Sequence, residues 1–385
     1  MILANVQIVG ETGKKNIHIN NGSIVTIATE LAQTSSQENI IEFENAIAFP
    51  GLINSHDHID FNLFPQLGNR IYNNYVEWGD DIHEKDKATI NSILAIPKEL
   101  RTQWGIYKNL LGGVTTVINH GEKLDIPNSI ITVFQNSYSL HSVKLEKGWK
   151  YQLNSPFAKK YPFSMHVGEG TDADSHDEID EVIRWNKLKR KIVGIHGVAM
   201  DEKQAAAFHA LIWCPDSNFF LLGATAVINK LKLQTNILFG TDSTVSANWN
   251  IWQQLRTARE TKLLTDTELI SAISTEPAAI WKLNNTGAIK ESNYADIVIA
   301  KEKINTDTVN AFFAINPEDI LLILHKGYIA FFDESLLPQL TNISVRNYSK
   351  IFINKTNKYI IGDLPLLIKE IKKYNPASFF PIEIE

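Results

Sequence analysis

Residues 162–197 read PFSMHVGEGTDADSHDEIDEVIRWNKLKRKIVGIHG, and this stretch decides the fold. It begins with a β-rich run, continues with a helical pattern and ends with a second β-rich run. Each β-rich run closes near a histidine, and the two histidines, His166 and His196, are thirty residues apart. That spacing is about the length of one strand–helix–strand unit. The stretch therefore predicts parallel strands with polar side chains at their carboxyl ends.

The same alternation continues on both sides of this stretch. Further strand candidates are GVTTVINHG (113–121), LIWCP (211–215) and NILFGTD (236–242). Repeated units of this kind form either a doubly wound sheet or a (β/α)8 TIM-type barrel. No glycine-rich phosphate fingerprint follows the first strand, so the doubly wound nucleotide-binding fold is less favoured. We expect an α/β barrel over residues 51–286.

Helix start signals follow several of these strand candidates. The segments from Ser175 to Glu178 and from Asp201 to Gln204 each have the form of a capping box. In a capping box the first side chain and the fourth side chain each bond a free backbone N–H group at the helix start. We therefore expect one helix to begin at each segment.

The two ends of the chain have a different sequence pattern. Apolar and polar residues alternate there in short runs, as in short strands. ILANVQIV (2–9) is followed by NIHINNGSIVTIA (16–28), which contains an Asn-Asn-Gly turn typical of a hairpin. Similar runs return at ADIVIA (295–300) and ILLILHKGYIAFF (320–332). We expect residues 1–50 and 287–345 to form one composite β-sandwich. Residues 346–385 are a C-terminal extension that the sequence does not place.

Composition limits the class of protein. The chain has 385 residues, 44% of them hydrophobic, which is enough for one large core and a smaller one. The net charge of -6 comes from interspersed acids and bases, without a basic stripe for nucleic acid. The chain start has no leader pattern and no apolar run reaches ~18 to 20 residues, so we expect a cytoplasmic protein without membrane contact. With one cysteine, Cys214, any metal must be held by His, Asp or Glu.

A His-x-His pair stands in PGLINSHDHID (50–60). In a strand, His56 and His58 would project to the same side, as two metal ligands do. Taken alone, the pair is equally consistent with two structural histidines. However, His166, His196 and Asp242 also close β-rich runs, and barrel enzymes take their catalytic groups from these strand ends. The five residues should then meet at one rim, where three imidazoles and a carboxylate suit catalytic zinc or iron.

Taken together, these motifs resemble those of the amidohydrolase superfamily. Within it, the resemblance is to the mononuclear aminohydrolase branch, which includes cytosine, guanine and S-adenosylhomocysteine deaminases and triazine hydrolases. The resemblance covers nearly the whole chain. It is carried by PGLINSHDHID, MHVGEG, GIHG, CPDSN and FGTDS, and by STEPAAIWKL followed by GAIKESNYADIVI.

The resemblance implies a role for each site residue. His56, His58, His166 and Asp242 would bind one divalent metal, zinc or iron. Glu169 would be the general acid and base. His196 would face the attacking water and the substrate, and with Asp242 it would stabilise the developing charge. A metal can lower the pKa of its bound water to about 7, and a carboxyl group can move the proton to the leaving nitrogen.

Some residues depart from the family pattern or lack a role. Asp57 is a charged residue between the first two proposed ligands, His56 and His58. His120 stands where the family more often has a carboxylate. His120 and His141 fall near strand ends and are candidate substrate contacts; the alternative is support of the ligands. Trp78 lies in the long aromatic segment after the first strand and is a further candidate, with core or interface packing as the alternative.

These patterns leave three functions open. The first is hydrolytic deamination of a small nitrogen heterocycle by a metal-activated water. The second is hydrolytic opening of a cyclic amide, as in imidazolonepropionase. The third is a catalytically inactive binding protein on the same scaffold. For all three we expect a small-molecule ligand and no nucleic-acid or membrane partner, and a homodimer stays open.

Overall fold

The computed structural model describes residues 1–30, 39–157, 160–303 and 307–384. The strands are β1 (Ile2–Ile8), β2 (Lys14–Asn20), β3 (Ser23–Ala28), β4 (Ile40–Glu42), β5 (Ala46–Pro50), β6 (Leu52–Asp57), β7 (Val114–Asn119), β8 (Thr132–Phe134), β9 (Tyr138–Ser142), β10 (Phe163–Val167), β11 (Ile192–His196), β12 (Ala210–Trp213), β13 (Asn236–Phe239), β14 (Ile297–Lys301), β15 (Ile320–His325), β16 (Tyr328–Asp333), β17 (Tyr348–Ile353), β18 (Thr356–Ile361) and β19 (Glu383–Ile384).

Helices alternate with many of these strands. They are α1 (Tyr75–Lys85), α2 (Lys87–Leu94), α3 (Lys98–Leu111), α4 (Trp149–Leu153), α5 (Ala173–Trp185), α6 (Glu202–Ala205), α7 (Pro215–Leu222), α8 (Ile228–Leu231), α9 (Ile251–Glu260), α10 (Asp266–Ala272), α11 (Thr275–Ile280), α12 (Thr308–Phe313) and α13 (Leu364–Tyr374). Short 3-10 helices cover Ile59–Phe61, Pro317–Asp319, Glu334–Gln339 and Val345–Asn347. Across the four described ranges, no helix is long and apolar enough to span a bilayer.

Parallel strands form the wall of the barrel in two arcs. One arc is β6–β7–β8 and the other runs from β9 to β13, with each strand beside its neighbour in the sequence. The arcs approach each other near β13 and β6, where the Asp242 N–H donates to the His56 carbonyl at 3.0 Å. This is the (β/α)8 TIM-type architecture that the sequence predicted.

Burial explains why the barrel strands read as continuous apolar runs. Every residue of β6, β7, β10 and β11 is buried. A parallel sheet has both faces covered, so its strands lack the alternation of a half-exposed sheet. A polar residue in such a strand lies in the interior, where it must find a partner. The site histidines occupy such positions.

A second sheet joins both ends of the chain. β5 pairs antiparallel with β14 along Ala46–Pro50, and β1, β2 and β3 continue the sheet beyond β5. The predicted hairpin turn lies between β2 and β3, where Asn21 and Gly22 have φ of 48° and 80°. On the opposite side β15, β16, β18, β17 and β19 follow β14, so strands of the C-terminal extension belong to the same sheet. The proposed domain boundaries at residues 50, 286 and 345 stay a prediction.

One predicted capping box is confirmed and the other is wrong. Asp201 and Gln204 make both reciprocal bonds at the start of α6. Helix α5, in contrast, begins at Ala173, because the Asp172 side chain accepts from the Ser175 N–H and caps the helix three residues earlier than expected. The Glu178 carboxylate, expected to complete the box, instead accepts the Gly168 N–H at 2.8 Å.

Candidate active site

The predicted metal ligands and His196 lie at the carboxyl ends of barrel strands. His56 is the penultimate residue of β6, and His58 follows that strand directly. His166 is near the end of β10, His196 ends β11, and Asp242 lies three residues after β13. Parallel strands of a barrel direct these ends to one rim, so residues far apart in sequence become neighbours.

Metal-ligating atoms come together at this rim in two overlapping groups. His56, His58 and His166 form one group and His56, His196 and Asp242 form the other, with ligand atoms within 4.8 Å of one another in each group. Both ring nitrogens of His56 and Nε2 of His196 are buried and have no hydrogen-bond partner in the described part of the chain. Buried polar atoms without a partner are rare, and a cation would satisfy them. The site fits one divalent metal, and zinc suits these donors.

Hydrogen bonds behind the rim orient two of the imidazoles. Nδ1 of His166 lies 2.7 Å from the carbonyl oxygen of His141, and Nδ1 of His196 lies 2.8 Å from Oδ1 of Asn218. Because both partners can only accept, each Nδ1 carries the proton and each Nε2 keeps its lone pair. Such partners fix the tautomer and the ring direction of metal-binding histidines.

Asp242 is held by three donors. The Ser217 and Ser246 hydroxyls donate to Oδ2 at 2.9 and 2.8 Å, and the Ser243 N–H donates to Oδ1 at 2.8 Å. Burial by itself would raise the pKa of Asp242, but the neighbouring imidazoles, above all that of His56, whose Nε2 lies 3.6 Å from Oδ1, hold that pKa well below its ordinary value. The carboxylate is therefore ionised, which is the form that binds a cation.

The imidazoles of His58, His166 and His196 are neutral near pH 7. Burial, followed by repulsion from His56, lowers the pKa of His58 to about 3. Burial also lowers the pKa of His196 to about 4 and moves that of His166 well below its ordinary value. Neutral imidazole is the form of histidine that ligates metals.

Two of the strand ends have unusual backbone geometry. His196 and Asp242 have φ of 69° and 56°, in the left-handed region that residues other than glycine rarely adopt. Such conformations cost about 1–3 kcal/mol each and persist where the surrounding structure fixes them, often at functional sites. Here each bend occurs where the strand ends and its side chain joins the rim.

Glu169 lies beside the metal-ligating group and faces the same cavity. Its Oε1 is 3.5 Å from Nε2 of His196, and its side chain is buried. Burial, together with the charges of Asp242 and Glu178, raises the pKa of Glu169 well above its ordinary value. A carboxyl group with a raised pKa can both accept and donate a proton at neutral pH.

The loop that carries Glu169 is fixed from two sides. The Gly168 N–H donates to Glu178, and the Glu169 carbonyl oxygen accepts from the Tyr75 N–H at 3.0 Å. Gly168 has φ of 60°, and a Cβ there would lie 2.6 Å from the Ile179 side chain. The glycine of MHVGEG is thus required by the turn, and the turn places Glu169 at a defined distance from His166.

A cavity of about 260 Å³ opens onto these groups. Its inner end is lined by His58, His166, Glu169, His196 and Asp242. Trp78 and His141 also line it, and their contact with substrate stays a prediction. His120 is placed differently: it is not among the cavity-lining residues. Its ring packs 4.6 Å from that of His166, and it bonds the Ser139 and Ser164 hydroxyls.

His83 is a cavity-lining residue that the sequence analysis did not select. It lies on α1, where Tyr75, Trp78, Gly79 and Ile82 also line the cavity. Residues three and four apart share one face of a helix. This spacing could have identified His83 once one face of α1 was assigned to the site.

Comparisons with known proteins find similar sequences and similar folds. The amidohydrolase family matches residues 158–327. A 5-methylthioadenosine/S-adenosylhomocysteine deaminase of Caldicellulosiruptor saccharolyticus is 23% identical over 85% of this chain and 91% of its own length. A 5'-deoxyadenosine deaminase of Methanosphaera stadtmanae is 21% identical over 84% and 91%. The crystal structure of an adenosine deaminase from Xanthomonas campestris with bound zinc superposes with a TM-score of 0.70, at 12% identity and 97% coverage of both chains.

The family match over residues 158–327, the deaminase relatives and the metal-ligating groups together support a metal-dependent amidohydrolase of the aminohydrolase branch. They indicate a hydrolase that acts on carbon–nitrogen bonds other than peptide bonds.

Proposed function

We propose that this protein catalyses the hydrolytic deamination of a small nitrogen heterocycle. The observation that carries the proposal is the position of Glu169, a buried carboxyl group with a raised pKa, 3.5 Å from His196 and beside the metal-ligating atoms. The names of the curated relatives, both deaminases of adenosine derivatives, support the same reaction.

In this proposal His56, His58, His166 and Asp242 hold one divalent metal, zinc or iron. When bound, the metal activates a water molecule as a nucleophile at neutral pH. Glu169 accepts the proton of the attacking water and delivers it to the leaving nitrogen. That second transfer is needed because an unprotonated amide anion is a very poor leaving group.

His196 and Asp242 complete the proposed catalytic set. The His196 ring is held by Asn218, and its Nε2 lies on the side of Glu169. From there it can orient the attacking water and stabilise the oxygen that becomes negative during attack. Asp242, ionised and held by three donors, can accept a hydrogen bond from the same water.

The test is ammonia release from purines, pyrimidines, pterins and triazines by the zinc-loaded protein, compared with the Glu169→Gln variant. The variant should keep its metal, because Glu169 is not a ligand in this proposal, and should lose about 10⁴-fold or more in turnover, since one residue serves two proton transfers. Glu44→Gln, at an exposed position between β4 and β5, is the matched control and should keep full activity.

Two outcomes would contradict the proposal. Near-full activity of Glu169→Gln at neutral pH would remove Glu169 from proton transfer. Loss of ring absorbance without ammonia release would indicate opening of a cyclic amide instead of deamination. A cytoplasmic location, a homodimer and the lack of a nucleic-acid partner stay predictions.

A further inference from the structure

The outer part of the proposed substrate cavity is almost entirely apolar. Beyond the metal-ligating end, much of its wall is formed by side chains from the segment after β6 and from α1 and α2, including Phe61, Phe64, Trp78, Ile82, Ile90 and Leu94. No lysine or arginine is among the residues that line the cavity in the described ranges. The acidic side chains of the lining are Glu169 and Asp242, both at the reactive end.

The mouth of the cavity exposes large apolar side chains to solvent. Phe61, Leu94 and Leu145 are 36%, 47% and 57% exposed, and all three line the cavity. We call these three residues the apolar collar. Exposed apolar side chains that cluster at one opening mark a surface that a ligand covers. The collar therefore indicates a ligand whose outer part is itself apolar.

Polar groups along the outer wall already have partners within the protein. The Trp78 indole N–H donates to the Leu67 carbonyl at 2.8 Å. The Tyr75 hydroxyl accepts the Lys144 N–H at 3.3 Å and lies 3.5 Å from Glu178. Nδ1 of His83 lies 2.8 Å from the Gly79 carbonyl oxygen. A sugar hydroxyl or an anionic group placed here would find few partners, and buried polar groups without partners weaken binding.

The reactive end, in contrast, keeps a polar group without a partner. The Ser243 hydroxyl lines the cavity, is buried and forms no hydrogen bond in the described part of the chain. It can bond a ring nitrogen of a heterocycle that enters amino group first. The cavity thus has a polar inner end for the ring and an apolar outer end for whatever the ring carries.

We infer that the substrate is an uncharged amino-heterocycle with an apolar substituent, whose ring lies at the reactive end and whose substituent contacts the apolar collar. This inference rests on the proposed deamination and adds the substrate class. A volume of about 260 Å³ is slightly below the range of ligand pockets, roughly 300–1,000 Å³, and suits a ring with a short substituent.

The test uses matched ligands that differ only in the substituent. Adenine and an aminotriazine are each prepared with a propyl, a dihydroxypropyl or a carboxyethyl group, and ammonia release and binding to the zinc-loaded protein are measured. The propyl compounds should have the highest kcat/KM, by about tenfold or more over the dihydroxypropyl compounds, because small changes in an apolar pocket commonly change kcat/KM 10- to 200-fold. The carboxyethyl compounds should be the poorest.

The outcomes separate this inference from the proposed function. Deamination of the dihydroxypropyl or carboxyethyl compounds as fast as the propyl compounds would overturn the inference and leave the function intact. Tighter binding of the propyl compounds without any ammonia release would support the apolar subsite and contradict the function. Binding of none of the compounds at millimolar concentration would overturn the inference.

Collar variants test the same point from the protein side. Leu94→Gln and Leu145→Gln should raise KM for the propyl substrate about tenfold, leave kcat nearly unchanged and reduce the preference for propyl over dihydroxypropyl. Both side chains are exposed, so folding should not suffer. Leu366→Gln, 51% exposed on α13 and outside the cavity lining, is the matched control and should keep the wild-type KM. An unchanged preference in both collar variants would overturn the inference.

Discussion

Lys108 and Asp57 form a buried ion pair behind the proposed metal ligands, with Nζ 3.2 Å from Oδ2. Asp57 stands between His56 and His58 in β6, and its side chain is fully buried. The Asn109 and Asn62 side chains each donate to its carboxylate at 2.8 Å. Asp57, the residue that departs from the family pattern, therefore has its partners Lys108 and Asn109 in α3. Its carboxylate lies on the far side of the strand from the metal-ligating rim.

Asn54 and Thr241 extend this network to the strand end that carries Asp242. Asn54 Nδ2 donates to Thr241 Oγ1 at 2.7 Å, and Thr241 N–H donates to Asn54 Oδ1 at 3.0 Å. The Thr241 hydroxyl in turn donates to the Asp242 carbonyl at 2.9 Å. The network thus connects β6 with the segment after β13 and fixes their relative position.

We predict that Lys108→Met destabilises the protein strongly. The change leaves the Asp57 charge buried without its cation, and breaking one partner of a buried pair costs about 3–5 kcal/mol. Urea unfolding measures the loss. The control is Lys85→Met, which removes an exposed cation 2.6 Å from Asp81 and should cost at most about 1 kcal/mol. The double variant Asp57→Asn with Lys108→Met should recover part of the loss; equal loss in Lys108→Met and Lys85→Met would refute the argument.

Much of the candidate site was predictable because strand ends are local features. His166, His196 and Asp242 each follow a short apolar run, and parallel β/α topology alone brings such ends to one rim. The Asp57–Lys108 pair was not predictable in this way. It depends on which face of α3 packs against β6, and nothing in the sequence near Asp57 specifies its partner 51 residues away.

Two barrel strands were not among the strand candidates read from the sequence, although His141 of β9 was placed near a strand end, and the reason is physical. β8 spans only Thr132–Phe134, and β9, Tyr138–Ser142, mixes serine and histidine with two apolar residues. Neither has the length or the periodicity that distinguishes a strand from a loop. β8 pairs with β7, and β9 pairs with β10. Their strand conformation therefore depends on neighbouring strands. The apolar collar was missed similarly, because Phe61, Leu94 and Leu145 come from separate segments.

We predict about one zinc or iron ion per chain, because the two ligand groups share His56. Elemental analysis of the purified protein measures it. His166→Ala should lower metal content and activity together, since it deletes a proposed ligand. His209→Ala, at a half-buried position outside the ligand groups, is the control and should keep its metal. Two ions per chain, or none after supplementation, would contradict a mononuclear site.

We predict that residues 51–286 alone are poorly soluble. The fragment lacks β5 and β14, and core residues such as Phe49, Val298 and Ala300 pack in the same apolar cluster as barrel residues. Removing them exposes apolar surface, which favours association. Gel filtration of the fragment beside the full chain is the measurement. A soluble fragment that unfolds cooperatively would show that the barrel does not need the end sheet.

The last prediction concerns Glu178, whose pKa is raised from 4.5 to about 7, chiefly by burial. The folded protein then holds this proton more tightly than the unfolded chain does. The contribution of Glu178 to the free energy of unfolding is therefore greatest below pH 4.5 and is lost as pH rises through about 7. A difference of about 2.5 pKa units corresponds to about 3 kcal/mol. Glu178→Gln still accepts the Gly168 N–H but cannot ionise, so urea unfolding of the metal-free variant should lose this part of the pH dependence.

Glu44→Gln should keep the wild-type profile. The same decline in Glu178→Gln and wild type between pH 5 and pH 8 would mean that another group titrates there, and that the loop before Glu169 is held by a carboxylate already ionised at the lower pH.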